Sequence, residues 1–336
     1  MAGKKENRRG RLAKVVVLLV LVIVAFCVLS SLQEKHGINL GLPSLEIPSF
    51  SKLYDSIGEL VGNNSNFKSN AVAVSGNAGE GQLSVHFLDV GQAKSILIQA
   101  PGANVLIDAG ENNQGEQVLR YLREQGVKKL DIAIGTHPHS DHIGGLDTVI
   151  DGIAVGEIIL PEIPEELVPT TRTYTDLLLA IQRNKLEITV CEPGMEFDLG
   201  GGAVLTLLAP LKEYKDLNDM SVVARLTFGD TSFLFTGDAS ADSEASMLNS
   251  GEVLRADVLD VGHHGSNSAS TEAFLKRVQP RIVVISCGLD NSYGHPHREV
   301  MERLAKTDAQ ILRTDLQGTI VIRSDGKSLG IEKEKE

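Results

Sequence analysis

The stretch Thr136-His137-Pro138-His139-Ser140-Asp141-His142, followed by Gly144-Gly145, governs how the rest of this chain is read. It places three imidazoles and a carboxylate between residues 137 and 142, directly after the apolar run Leu130–Ile134. Pro138 and Ser140 favour a turn that aims these side chains inward around a cation. Neutral imidazoles with a carboxylate make a ligand set for Zn2+, Mn2+ or iron. A solvated polar loop is the plain alternative, and a His-rich turn set directly after a strand argues against it. Cys27, Cys191 and Cys287 form no CxxC pair, so neither a thiolate zinc site nor a disulfide framework is expected.

On either side of this stretch the apolar pattern is regular. Strands are expected at Leu83–Leu88, Ser95–Gln99, Asn104–Ile107, Leu130–Ile134, Glu157–Leu160 and Val204–Leu208. Further strands are expected at Val222–Thr227, Phe233–Phe235, Val258–Val261, Ile282–Ile285, Ile311–Thr314 and Thr319–Ile322. Helical spacing covers Gln114–Gln125, Arg172–Asn184, Ala241–Leu248, Thr271–Val278 and Glu299–Ala305. Early strands follow one another as hairpins and later ones alternate with helices, in two β-rich halves. That is the pattern of a layered α/β domain, over residues 82–330. Asp89, Asp108, Asp238 and His263-His264 each fall where a strand ends, with glycine nearby, which gathers chemistry at one edge of packed strands.

Composition narrows the function. The net charge is −12, but residues 1–14 carry six bases against Glu6, so the remaining chain carries −17. A body of that charge repels polyanions at long range, and any nucleic-acid substrate needs a local positive site such as a metal ion. With 4% aromatics and no Trp, stacking platforms are scarce.

The N-terminus reads as a membrane segment. Residues 15–32, VVVLLVLVIVAFCVLSSL, carry no charge across 18 positions, just enough for a helix to span a thin hydrocarbon core. The basic residues before it keep tail 1–14 in the cytoplasm and send the body across the membrane. A cleaved signal peptide, cut near Val28-Leu29-Ser30, is the alternative, and either reading places the body outside the cytoplasm. Residues 33–81, rich in Asn, Ser and Gly with a short helical stretch at Ser51–Val61, read as a flexible stalk.

The HxHxDH string resembles the signature of the metallo-β-lactamase superfamily, whose fold is an αββα sandwich with a metal site at one edge. Phe87-Leu88-Asp89-Val90-Gly91-Gln92, Thr236-Gly237-Asp238, His263-His264-Gly265-Ser266 and Tyr293-Gly294-His295-Pro296-His297 resemble the hydrolase domain of the ComEC competence-protein family, over about Leu83 to Arg323. The resemblance implies that His137 and His139 hold one ion and that Asp141 and His142 hold another. Asp238 would bridge them, and His263 or His264 would complete the second site. One or two ions per chain, Zn2+ or alternatively Mn2+, would activate water for hydrolysis. Asp141, His264 and His295 are then the catalytic candidates, and Lys94, Ser266, Ser268 and His297 the substrate-binding ones.

Two departures stand out. No histidine lies between His142 and His263, so the superfamily's usual third histidine is missing, and Asn218, Asp219 or Ser221 is left to fill its place. Where the family commonly reads GQGD, this chain reads Gly91-Gln92-Ala93-Lys94; the lysine is either a phosphate contact or a surface residue. Of the adjacent His263 and His264, one is expected to point away from a shared site. Asp89 and Asp108 are expected to buttress ligands rather than bind metal.

The expected activity is a metal-dependent phosphodiesterase or nuclease. Two alternatives stand beside it: a cell-envelope hydrolase of the phosphocholine-esterase type, and a membrane-anchored binding module with a degenerate metal site.

Overall fold

A computed structural model describes residues 81–336. The expected tail, membrane segment, stalk and Ser51–Val61 helix fall outside the described residues, apart from the stalk's last residue. Among the described residues no helix is long and apolar enough to cross a membrane.

Among the described residues fifteen strands form two sheets. The first has the order β15-β14-β1-β2-β3-β4-β5-β6 and the second β13-β12-β11-β10-β9-β8-β7. In the first half β1 (Leu83–Phe87), β2 (Ile96–Gln99) and β3 (Asn104–Ile107) pair antiparallel. From β3 onward, through β4 (Lys129–Ile134), β5 (Ala154–Leu160) and β6 (Ile188–Val190), pairing is parallel. The second half repeats the plan. β7 (Glu196–Asp198), β8 (Ala203–Ala209), β9 (Val223–Phe228) and β10 (Thr231–Phe235) are antiparallel neighbours. β11 (Val258–Asp260), β12 (Ile282–Ile285) and β13 (Gln310–Arg313) then run parallel to β10. β14 (Ile320–Ser324) and β15 (Leu329–Lys333) return to the edge of the first sheet beside β1.

The strands read as continuous apolar runs because both faces are buried. Phe233 and Phe235 of β10, with Ile282 and Val284 of β12, enter the core between the sheets, where they meet Val85, Phe87, Ile132 and Ile134 of the first sheet. The intervening Leu234, Val283 and Ile285 face outward, under α5 (Ala241–Ser250), α6 (Glu272–Val278) and α7 (Arg298–Leu304). On the other side α1 (Gly115–Glu124), α3 (Leu146–Gly152) and α4 (Arg172–Asn184) cover the first sheet through Val118, Leu122, Val149 and Leu177. The result is the expected αββα sandwich. Because β3 and β4 in one sheet and β10, β11 and β12 in the other end at the same edge, their carboxyl-terminal loops meet there.

Candidate metal centre

The loop after β4 is anchored from beneath. Asp108, at the end of β3 with φ +59°, accepts from the Thr136 amide (2.8 Å) and hydroxyl (2.7 Å), and from His142 Nδ1 (2.7 Å). Its carboxylate can only accept, so His142 carries its proton on Nδ1 and turns a bare Nε2 toward the cleft. The one-turn helix α2 (Ser140–Ile143) brings Asp141 and His142 round to the same side. In the other half the Gly237 turn (φ +52°) delivers Asp238 directly after β10, and Asp238's amide is fixed by the Ser221 hydroxyl (3.0 Å).

His264 obeys the same logic as His142. Its Nδ1–H donates to the Ser286 carbonyl (2.8 Å), again leaving Nε2 bare. That Nε2 lies 3.3 Å from Asp141 Oδ2 and 3.6 Å from Asp238 Oδ2, while His142 Nε2 lies 3.2 Å from Asp238 Oδ1. Both Nε2 atoms and Asp238 Oδ1 are buried without a hydrogen-bond partner. Lone pairs facing lone pairs are unfavourable unless positive charge lies between them. Burial opposes a charge on His142, yet the Asp238 and Asp108 carboxylates outweigh it and push its pKa well up. For Asp238 burial is likewise outweighed, by His142 and His264, which hold its carboxyl well below the usual range. The pocket therefore draws in positive charge, as a proton on His142 or as a metal ion. Asp141, His142, Asp238 and His264 form a group whose ligand atoms all lie within 4.8 Å of one another, and this donor set fits a divalent metal.

His137 and His139, expected to hold the other ion, are arranged differently. His137 Nε2 and His139 Nδ1 lie 3.0 Å apart, so the two rings satisfy each other with one shared proton. His137 is fully buried, and burial followed by His142 holds its pKa well below 6.5. Of the three stand-ins for the missing histidine, Asp219 is already occupied: its Oδ1 accepts from the amides of Ser240 and Ser243 and from the Ser240 hydroxyl, at the start of α5. Ser221 Oγ sits 3.3 Å from His137 Nδ1. Asn218 lines the cleft, with its Oδ1 buried and unpaired.

Several sequence expectations need correction. His263 and His264 do not diverge. Both adopt left-handed backbone (φ +50° and +55°), and this consecutive pair turns both rings toward Asp238, with His263 Nε2 3.7 Å from Oδ2. Only His264 joins the ligand group. Lys94 is not available to a phosphate. It is 1% exposed, and its three N–H donors go to the Gly237 carbonyl (2.7 Å), Asp260 Oδ2 (2.8 Å) and the Val261 carbonyl (3.0 Å). With its own amide on the Asp141 carbonyl (3.0 Å), Lys94 is a strut joining the ligand-bearing loops of both halves. Ser266, Ser268 and His297 do not line the cleft. The Ser268 hydroxyl links Ser266 Oγ (3.0 Å) to His263 Nδ1 (3.1 Å), and His297 spans the Asn267 amide and the Tyr293 carbonyl. These are braces, where substrate contacts were expected.

His295 does line the cleft, and burial, then His264 and His297, hold its pKa down to about 4. The cleft, about 530 Å³, is also lined by Gln92, Asn112, Thr171, Thr173 and Tyr293, none of which was assigned a role from sequence. Gln92 and Tyr293 stood inside recognised motifs and were legible in principle. Asn112 and Thr173, bonded to each other at 3.0 Å from 61 residues apart, carried no local signal.

The chain is similar to several known proteins. The ComE operon protein 3 of Bacillus subtilis (strain 168) is 32% identical over 263 residues, covering 71% of this chain and 33% of that protein. The competence protein ComA of Neisseria gonorrhoeae is 31% identical over 249 residues, covering 72% and 32%. The chain thus spans about a third of the length of these curated relatives. Among solved structures, CmlA, a diiron β-hydroxylase from Streptomyces venezuelae, superposes with a TM-score of 0.45 at 15% identity, over 74% of this chain and 55% of that one. The description "Metallo-beta-lactamase superfamily" matches residues 88–289, which takes in every ligand of the centre, and the chain belongs to that superfamily.

Proposed function

We propose that this domain hydrolyses phosphodiester bonds with a bound divalent cation, Zn2+ or Mn2+, and that nucleic acid is its substrate class. The observation that carries the reading is the lining of the cleft. Acidic and imidazole donors converge at its base, Gln92, Asn112, Ser140, Thr171, Thr173 and Asn218 supply uncharged polar groups around them, and among the described residues no lysine or arginine lines it. An anionic substrate is held in such a cleft only through a resident cation. When bound there, the cation supplies Lewis acidity that neutralises phosphate charge and brings the pKa of water toward about 7. The protein's own groups do the rest. Asp141, 28% exposed, is kept ionised by His264 and His142 against the effect of burial, and orients the attacking water. His263 and His295 face the substrate as hydrogen-bonding groups. The names of two relatives, the competence protein ComA of Neisseria gonorrhoeae and recombination protein 2 of Haemophilus influenzae, favour nucleic acid. In this reading residues 15–32 anchor the chain and hold the domain outside the cytoplasm.

The −17 body charge favours a second reading, a phosphodiester or ester of the cell envelope of phosphocholine type. One experiment separates them: the full chain in detergent, loaded with Zn2+ or Mn2+, assayed on single-stranded DNA, bis(p-nitrophenyl) phosphate and p-nitrophenyl phosphocholine. Turnover of DNA that stops on chelation is expected. Turnover of the choline ester alone would establish the second reading. Stoichiometric metal with no turnover of any of the three would make the domain a binding module.

A further inference from the structure

Gln92 and His295 come from opposite ends of the domain and meet through the amide of one side chain. Gln92 Oε1 accepts the Gly288 amide N–H at 3.0 Å, and Gln92 Nε2 lies 3.1 Å from His295 Nδ1. A backbone N–H can only donate, so Oε1 must face Gly288 and the NH2 group must face the ring. The NH2 group can only donate in turn, so His295 Nδ1 is an acceptor and its proton resides on Nε2. The contact is rigid at both ends. A Cβ on Gly288 would stand 2.7 Å from the Gln92 main-chain nitrogen, so only glycine lets these loops close. His295 is gripped by Asn291, whose Oδ1 accepts from the His295 amide (2.9 Å) and whose NH2 donates to its carbonyl. Among the described residues no group bonds Nε2, and the ring lines the cleft between Tyr293 and His264, stacked on both.

We propose that Gln92 locks His295 in its Nε2–H tautomer, so that His295 meets the substrate as an uncharged donor to a non-bridging phosphate oxygen. The substrate half rests on the phosphodiester reading. A protonated Nε2 cannot ligate a metal, so His295 is a catalytic residue outside the ligand set and Gln92 is its positioning residue. A neutral donor suits this place, because a cation held by the His264 cluster would already supply the charge and a second positive group would repel it.

The tautomer is read directly from the ring-nitrogen signals of the full chain labelled with ¹⁵N-histidine. The wild type should show His295 with Nδ1 bare and Nε2 protonated, with and without Zn2+. Gln92→Glu keeps the acceptor for Gly288 but presents an acceptor to the ring, and should move a proton onto Nδ1. Gln92→Met should leave a mixture. A wild-type ring protonated on Nδ1, or unchanged in both variants, overturns the lock. On a phosphodiester, His295→Leu should lower kcat/KM by roughly 10- to 100-fold, the worth of one hydrogen bond to a charged group. His295→Gln, which carries an N–H to about the same place, should recover much of that at equal metal content. Wild-type kcat/KM in His295→Leu overturns the donor role. A metal-loaded wild type inert on every phosphodiester overturns the substrate half and the reading beneath it, while the nitrogen signals still decide the tautomer.

Discussion

The Asp141–His142–Asp238–His264 cluster draws two of its members from the loop that carries the His137–His139 pair, yet cluster and pair meet opposite electrostatic conditions. In the cluster each imidazole has its proton committed away from the centre, to Asp108 or to the Ser286 carbonyl, so bare nitrogens confront carboxylates. In the pair the two rings answer each other, nitrogen to nitrogen at 3.0 Å. A group of histidines becomes a metal site when its donors cannot be satisfied by one another. By that standard the first region requires a cation and the second can do without one.

The largest expected effect tests that contrast at its centre. Asp238→Asn should cost the cluster its metal and lower kcat/KM by about a thousandfold or more, equivalent to several kcal/mol of lost charge stabilisation. Elemental analysis of the wild type after mild chelation should leave about one ion per chain. Two equally retained ions would break the comparison, because the pair would then be a full site completed by Asn218 or Ser221.

Next in size is Lys94→Met, which strands the buried Asp260 carboxylate. A loss of about 3–5 kcal/mol in denaturant unfolding is expected, as for other buried ion pairs cut on one side. KM should hardly move, since the amine is out of reach of substrate. A large rise in KM with unchanged stability would restore a phosphate-contact role.

Acid release of metal is a natural way to rank the two regions, but the fold weakens in the same window. His86 in β1 is 1% exposed, and burial, then Arg323, lowers its pKa from 6.5 to about 4. Its folded pKa lies below the unfolded value, so between these values the unfolded chain binds more protons. Its contribution is complete above pH 6.5 and is lost as pH falls toward 4, by about 3 kcal/mol. The difference in unfolding free energy between His86→Gln and the wild type should change by that amount between pH 7 and 4. A constant difference would show that His86 is not the cause.

Smaller still, Asp108→Asn should weaken metal binding about 10- to 100-fold by releasing the His142 tautomer, as loss of such outer partners does elsewhere. Unchanged affinity by isothermal titration would mean that tautomer control is not what readies the cluster. Smallest of all, His139→Ala should leave the tightly held ion in place and shift its affinity by less than the Asp108 change. Loss of that ion would merge the two regions into one site.

Much of this was legible beforehand where the cause was local. The strands buried on both faces announced themselves as unbroken apolar runs, and the His-rich loop is contiguous in sequence. Edge strands were the casualties. β6, β7 and β15 each lie at the margin of a sheet, are half-buried or exposed, and lack the run that marked their neighbours. β15 also carries the fold to Lys333, past the expected boundary at residue 330. The one-turn helix α2 was read as a turn, since four residues cannot display a helical period. Lys94 was misjudged because its burial depends on partners 143 to 167 residues away. That only one of His263 and His264 ligates agrees with the sequence reading, but their rings do not diverge, because side-chain alternation presumes ordinary backbone, which two consecutive left-handed residues do not have. The apolar segment 15–32, clear in the sequence, lies outside the described residues.

The four ligands arrive two from each half, Asp141 and His142 after β4, Asp238 and His264 after β10 and β11. A chain folding one half at a time therefore holds, until the sheets dock, only a weak bidentate grip on any ion it meets. Tight uptake waits for the last long-range step. Its binding free energy then accrues to the finished sandwich and to no partly folded form. Metal loading at this cluster would thus be a check on completed assembly as well as the installation of a reagent.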